Sequence, residues 1–155
     1  MIPNKYILQH NIVASQGKLM AIDVGTRRIG IADCDFTQTL STPRLIINRQ
    51  SNLKDFAVIK DFIVTNDIKA VIIGFPAHMD RQHHEMSEFT LKFTESFDQF
   101  MQQQGLQLPV ILFDERLSSF EAEEIARATP SRKKQKHFDD IAARVILDDF
   151  LFCKE

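Results

Sequence analysis

Asp23 stands inside Leu19-Met20-Ala21-Ile22-Asp23-Val24-Gly25-Thr26, a run that is otherwise apolar until its closing turn. A carboxylate there is costly to bury unless it is paired, hydrogen-bonded or bound to a metal. Asp114 and Glu115 close a second apolar run at Val110–Asp114. Asp139 opens a third, with Ala142, Ala143, Ile146 and Phe150 following at i+3, i+4, i+7 and i+11. Each acid has an ordinary explanation. Asp23 can cap the turn through the Gly25 or Thr26 amide. Asp139 can be a helix N-cap or answer the helix dipole. Asp114 or Glu115 can pair with Arg116. Together they make three carboxylate positions at the ends of buried elements. Carboxylate oxygens are the ligands that hard divalent cations such as Mg2+ take. Two such ions, about 3.5–4 Å apart, can activate a water and stabilise the leaving oxygen of a phosphodiester. Mg2+ or Mn2+ in a two-metal site is therefore the expected cofactor.

An acidic centre acting on a polyanion also needs a positive rim. Arg27 and Arg28 follow the first acid at its turn, and Arg116 adjoins the second. Arg132, Lys133, Lys134 and Lys136 lie just before the third, in a stretch from Thr129 to Lys136 that reads as a basic polar loop. A basic run is most often a solvated surface. Beside Asp139 it becomes a phosphate contact, of the kind that positions a backbone without reading sequence. The histidines form no zinc pattern. His83 and His84 are adjacent and cannot share one helix face, and His78 falls in a loop.

The elements that must position these groups follow from periodicity. A first strand covers about Lys18–Val24 and a second Ile29–Cys34, joined tightly enough to form a hairpin. A third strand at Leu40–Ile47 contains Pro43, which confines it to an edge or a bulge. Ser51 or Asn52 caps a helix running to about Thr65, with Leu53, Phe56, Ile59 and Ile63 at helical spacing. Ala70–Gly74 is a fully apolar strand of the kind that lies in a sheet covered on both faces. A helix at about His84–Gln104 carries Met86, Phe89, Phe93, Phe97 and Phe100 on one face, a core stripe rather than a base-stacking platform. The strand Val110–Asp114, a helix at about Ser119–Ala128 and a last helix from about Phe138 to Phe152 complete the chain. The fold class is α/β: a mixed five-stranded sheet, three antiparallel strands then two parallel ones, flanked by helices.

With 155 residues, 44% hydrophobic and 26% charged, the chain fits one domain with one core. Residues 1–17 show no clear period and read as an N-terminal extension before a single domain at 18–155. They hold one basic residue, Lys5, and no continuous apolar stretch, a poor signal peptide. No run approaches a membrane span. Cys34 and Cys153 form no C-x-x-C pair, so reduced thiols and a cytoplasmic protein are expected. A net charge of −2 does not suggest a nucleic-acid binder, but distribution outweighs the sum.

Four blocks in order carry a resemblance: Ala21 through Ala32, Val71 through Asp80, Asp114 through Ser119, and Asp139 through Leu147. Together they resemble the YqgF/RuvX family of bacterial RNase H-like proteins, over roughly Leu19 to Leu151. That family is regarded as the nuclease maturing the 5′ end of pre-16S rRNA, and its members are also called Holliday-junction resolvases. The resemblance implies an RNase H-like sheet. It gives Asp23 the first-strand catalytic aspartate position, Glu115 the acid after the fourth core strand, with Asp114 as its substitute, and Asp139 the aspartate of the final helix. These residues would hold the metal, and RNA would be the substrate. One departure is the loop after Met79-Asp80, which continues Arg81-Gln82-His83-His84 where the family carries a glycine. Two other readings are a resolvase-like endonuclease of branched DNA and a non-catalytic module that holds nucleic acid or a ribosomal partner. Retention of all three acids argues against the module. A phosphotransfer domain is excluded on size, since Asp-Val-Gly-Thr ATPases need two such lobes, and no Walker sequence is present.

Overall fold

Lys18–Val24 forms β1, the middle strand of the sheet. Its residues are buried on both faces, so it must be covered on both. The computed structural model describes residues 2–8, 13–76, 81–114 and 131–154, with side chains except at 8, 81–83, 131–140 and 154. β1 turns at Gly25 into β2 (Arg28–Cys34), its antiparallel neighbour, and β2 pairs antiparallel with β3 (Ser41–Asn48). After helix α2 (Asn52–Thr65), β4 (Ile68–Phe75) returns parallel to β1. Helix α3 (Arg81–Gln103) leads to β5 (Val110–Asp114), parallel to β4. The last helix, α4, spans Ser131–Lys154. The strand order is β3-β2-β1-β4-β5. Three antiparallel strands followed by two parallel ones is the arrangement expected from the sequence.

The pleat sorts the core into two layers. Met20, Ile22 and Val24 share one cluster with Phe56, Ile59 and Ile63 of α2 and Phe93, Phe97 and Met101 of α3. Leu19 and Ala21 share the other with Ile146, Leu147 and Phe150 of α4. The phenylalanine stripe is core, as its spacing requires. Phe56 meets Phe93 and Phe97 edge-on at 5.3 and 5.5 Å between ring centroids, a favoured aromatic geometry. Helix α2 starts where Ser51 accepts the Lys54 N–H at 3.2 Å, and its C-terminal Asn66 returns its N–H to the Phe62 carbonyl. Pro43 lies on an edge strand beside a register shift at Ile31/Ala32, the two places a residue without an N–H is tolerated.

Two expectations change. The stretch Ser131–Lys136 is not a loop. It forms the first turns of α4, which begins seven residues before the expected Phe138. Lys, Arg and Gln are good helix formers, so a basic run extends a helix as readily as it solvates a loop. The region 1–17 also contains structure that its aperiodic sequence did not suggest. Asn4–Leu8 forms a short helix, α1, and Tyr6 is fully buried within the α2–α3 layer. Gln38 fastens the approach to β1 by donating to the carbonyls of Ala14 and Gly17, each at 3.0 Å. The expected helix at 119–128 lies outside the described residues.

Among the described residues the Tyr6 hydroxyl is buried with no partner at ordinary hydrogen-bond geometry, and burial pushes its pKa up against the nearby Lys5 cation. A buried polar atom left unpaired costs about 1–3 kcal/mol. Tyr6→Phe is therefore expected to leave stability equal or higher, whereas Tyr6→Ala is expected to cost about 3–5 kcal/mol through the cavity it leaves. Urea unfolding of the three proteins checks both signs.

Candidate active site

Asp23 is the sixth residue of β1, at the carboxyl end of the strand. By alternation it follows Leu19 and Ala21 on the face that α4 covers. Its partner across β2 is Gly30. On the β4 side, Ile22 pairs with Ile73, so Gly74 comes one step later, level with Asp23. Both positions beside the carboxylate thus lack a side chain. Directly opposed residues hold their Cβ atoms about 4.5–5.5 Å apart, so a larger residue at either glycine position would stand against this acid. One of the two amides that could cap Asp23, those of Gly25 and Thr26, has another partner. The Gly25 amide is already committed, donating to the Arg28 carbonyl at 2.9 Å within the turn.

The three parallel strands end together: Val24 on β1, Phe75 on β4 and Asp114 on β5, with Phe75 and Asp114 in register. Sites in α/β sheets gather at such carboxyl ends. Asp114 is exposed, but alternation puts it with Val110 and Leu112 on the α2–α3 face. Ile111 and Phe113 are on the α4 face, and Phe113 meets Phe150 edge-on at 5.8 Å. Asp114 is therefore on the opposite face from Asp23. Glu115 and Arg116 lie outside the described residues.

Position 139 is on α4, more than two turns in from Ser131. An N-cap or a dipole-stabilised acid belongs to the cap or the first turn, so neither explanation holds at this depth. Ala142, Ala143, Ile146, Leu147 and Phe150, which follow at helical spacing, are all buried. Among the described residues no three His, Cys, Asp or Glu side chains stand close enough to hold a metal. Two of the three candidate acids have side chains outside that set. Asp23 itself offers hard oxygen ligands between two glycines, and so fits a divalent cation.

Of the basic candidates, Arg27 is exposed at the tip of the β1–β2 turn and Arg28 is half-buried at the start of β2. Arg132, Lys133, Lys134 and Lys136 are on the first two turns of α4. His78 lies outside the described residues. His84 is exposed on α3 with its Nε2 3.3 Å from Glu88, a surface contact.

One charged group near the site escaped the sequence reading. Arg49, just past β3, pairs through Nε with Asp55 of α2 at 3.1 Å. Asp55 is 2% exposed. A signal for it exists: Asp55 precedes Ile59 and Ile63 by four and eight residues, so it occupies the apolar face of α2 and needs a partner.

A strand order of β3-β2-β1-β4-β5, with the first acid at the carboxyl end of the central strand, defines an RNase H-like fold. The family described as RuvX, Holliday junction resolvase, matches residues 17–152. A protein of Thermoanaerobacter pseudethanolicus, provisionally named pre-16S rRNA nuclease, is 34% identical over 137 residues, covering 86% of this chain and 95% of its own. One of Halothermothrix orenii with the same name is 35% identical over 136 residues, covering 86% and 94%. Among solved structures, T. thermophilus RuvC in complex with Holliday junction substrate aligns with a TM-score of 0.49 at 10% identity, covering 83% of this chain and 91% of that one. The chain belongs to the RuvX family, and is thereby classed with enzymes that hydrolyse phosphodiester bonds. No helix among the described residues is long and apolar enough to cross a membrane.

The turn after Asp23 depends on Gly25. A Cβ added there would stand 2.5 Å from the Arg28 carbonyl oxygen, a backbone atom that cannot swing aside. Gly25→Ala is expected to open the turn and cost about 1–3 kcal/mol, within the ordinary range for backbone misfit. The melting temperature and the Gly25–Arg28 amide resonances check this.

Proposed function

We propose that this chain is a metal-dependent ribonuclease acting in the cytoplasm on the 5′ end of pre-16S rRNA, with Asp23, Glu115 and Asp139 holding Mg2+ or Mn2+. The observation that carries the reading is the place of Asp23: at the carboxyl end of the central strand, between two glycines, on the face that α4 covers. The buried stripe of α4 runs back through Ala143 and Ala142 to position 139. Asp114 turns to the other face, so the next residue, Glu115, is the better second acid. When bound, the metals activate a water and stabilise the leaving oxygen. The chain's own part is to hold three carboxylates in fixed relation and to grip the phosphates on either side. The relatives named for pre-16S rRNA support the choice of RNA as substrate. The family's description supports branched DNA as the alternative.

The test is a labelled pre-16S leader RNA beside a four-way DNA junction, each with Mg2+ or Mn2+. Cutting of the RNA alone is expected. Asp23→Asn, Glu115→Gln and Asp139→Asn are each expected to lose it, while Asp114→Asn retains it. Loss in Asp114→Asn with retention in Glu115→Gln would reverse the assignment of the second acid. Cutting of the junction alone would move the protein to the resolvase reading. Binding without cutting of either would leave a nucleic-acid-holding module.

The basic residues divide by position. Positions 132, 136, 139, 143, 146 and 150 step by four or three along α4, whereas 133 and 134 fall off that line. Neutralising Arg132 and Lys136 together is expected to weaken RNA binding more than neutralising Lys133 and Lys134. It should lower the slope of log K against log salt by about 0.7 for each single-strand phosphate that is no longer neutralised. Equal effects of the two pairs would show an unspecific cationic surface.

A further inference from the structure

Asp23 is followed within two residues by a turn that a residue from another part of the sheet contacts. Arg49 reaches this turn twice. Its main-chain N–H donates to the Arg27 carbonyl at 2.8 Å, and its Nη1 donates to the Gly25 carbonyl at a long 3.5 Å. The remainder of the guanidinium is also engaged. Nε binds Asp55 at 3.1 Å, and Nη2 donates to the Asn52 side-chain oxygen. The guanidinium carbon lies 5.6 Å from the Phe89 ring centroid and 5.3 Å from that of Phe93, within cation–π range. The side chain is 12% exposed. Asp55 is itself fixed by the Gln50 N–H at 3.2 Å. Arg49 thus ties the β1–β2 turn to the first turn of α2 and to the aromatic stripe of α3.

A buried ion pair is weak evidence of stabilisation, because desolvating both charges offsets their attraction. Its use here is directional. A planar guanidinium sends N–H groups to three acceptors at fixed angles while its charge stands over two aromatic rings, and a lysine ammonium cannot do this. We infer that Arg49 is a positioning residue: by clamping the Gly25–Arg28 turn onto α2 and α3, it sets the carboxyl end of β1 and with it the carboxylate of Asp23. The inference rests on the proposed role of Asp23 and adds to it a residue that no motif marks.

The experiment compares Arg49→Lys and Arg49→Met with Ile63→Ala, a cavity variant in the same core layer but away from the turn. Four quantities are read: melting temperature, kcat and KM on the leader RNA, and hydrogen exchange of the Gly25 amide. Arg49→Lys is expected to lower kcat about 10–100-fold, the range that a misplacement of about 1 Å in a catalytic constellation produces. KM should change little, and the Gly25 amide should exchange severalfold faster while β4 amides stay protected. Ile63→Ala should fall in melting temperature yet keep kcat and Gly25 exchange at wild-type values. Wild-type kcat and Gly25 exchange in Arg49→Lys would overturn the inference. So would equal loss of kcat in Ile63→Ala, which would make the effect one of stability alone. If the wild type cuts neither substrate, the nuclease reading fails separately, and Gly25 exchange alone decides whether Arg49 holds the turn.

Discussion

A strand buried on both faces has no room for charge along its length, so any charge it carries must emerge at its ends. β1 obeys this constraint. Met20 to Ile22 are fully buried between two helical layers, and the carboxylate comes only at Asp23, where the strand leaves the sheet. β4 repeats the pattern with Val71, Ile72 and Ile73 buried before Gly74. The requirement to cover both faces dictates helices above and below, and the same requirement gathers what is polar at one rim. The location of the chemistry is thus a consequence of how the core is built.

The two helical layers do different work. The α2–α3 layer is thick and aromatic, with Phe56 at the centre of a group that includes Phe93, Phe97 and Phe100. It supplies the rigid bed on which the Arg49–Asp55 pair lies. Among the described residues the opposite face is covered by α4, which packs on β1, β2 and β3 with alanines and a few large side chains. Ala142 and Ala143 are small enough for the helix to approach the sheet closely. Position 139 stands one turn before them on the same helix. Near the other end of α4, the hydroxyl of Ser41 bonds to Asp148, which ties the helix to the edge strand. The buried acids Asp33 and Asp55 are both countered by cations, Asp33 by Lys18 at 3.3 Å and Arg44 at 3.9 Å. They are part of the scaffold.

Much of this was legible in the residues, for identifiable reasons. The stripe from Phe89 to Phe100 has a period that only a helix satisfies, and the run around Asp23 is a short apolar stretch closed by a turn, as a buried strand requires. Pro43 reports its own position, because a residue without an N–H is excluded from a central ladder. Helix α1 was not legible, since five residues are too few to show a period and Tyr6 is buried by tertiary contact. The start of α4 was misplaced because charge along Arg132–Lys136 suggested solvent, while the intrinsic preference of those residues favours helix. Arg49 was not singled out because its role arises from four elements meeting in space. The only local trace was its partner, an aspartate on the apolar face of α2. Between Asp114 and Glu115 the resemblance favours Glu115, and the pleat adds only that Asp114 shares its face with Val110 and Leu112, a point that adjacency in sequence does not show.

The early start of α4 changes what its charges mean. A basic loop next to an acidic helix would be two features that happen to adjoin. A single helix makes them one graded line: apolar at Phe150, Ile146 and Ala143, acidic at 139, basic at 136 and 132. Helical spacing keeps these positions within one stripe, so the order of chemistries along the sequence becomes an order in space. On the proposed roles, core, metal ligand and phosphate contact succeed one another along one helix. The same segregation would leave a net charge of −2 uninformative about substrate. Acids proposed to share a cation and bases proposed to face a phosphate chain cancel in the sum. What a polyanion meets is the local field, in which a bound divalent ion outweighs the carboxylate that holds it.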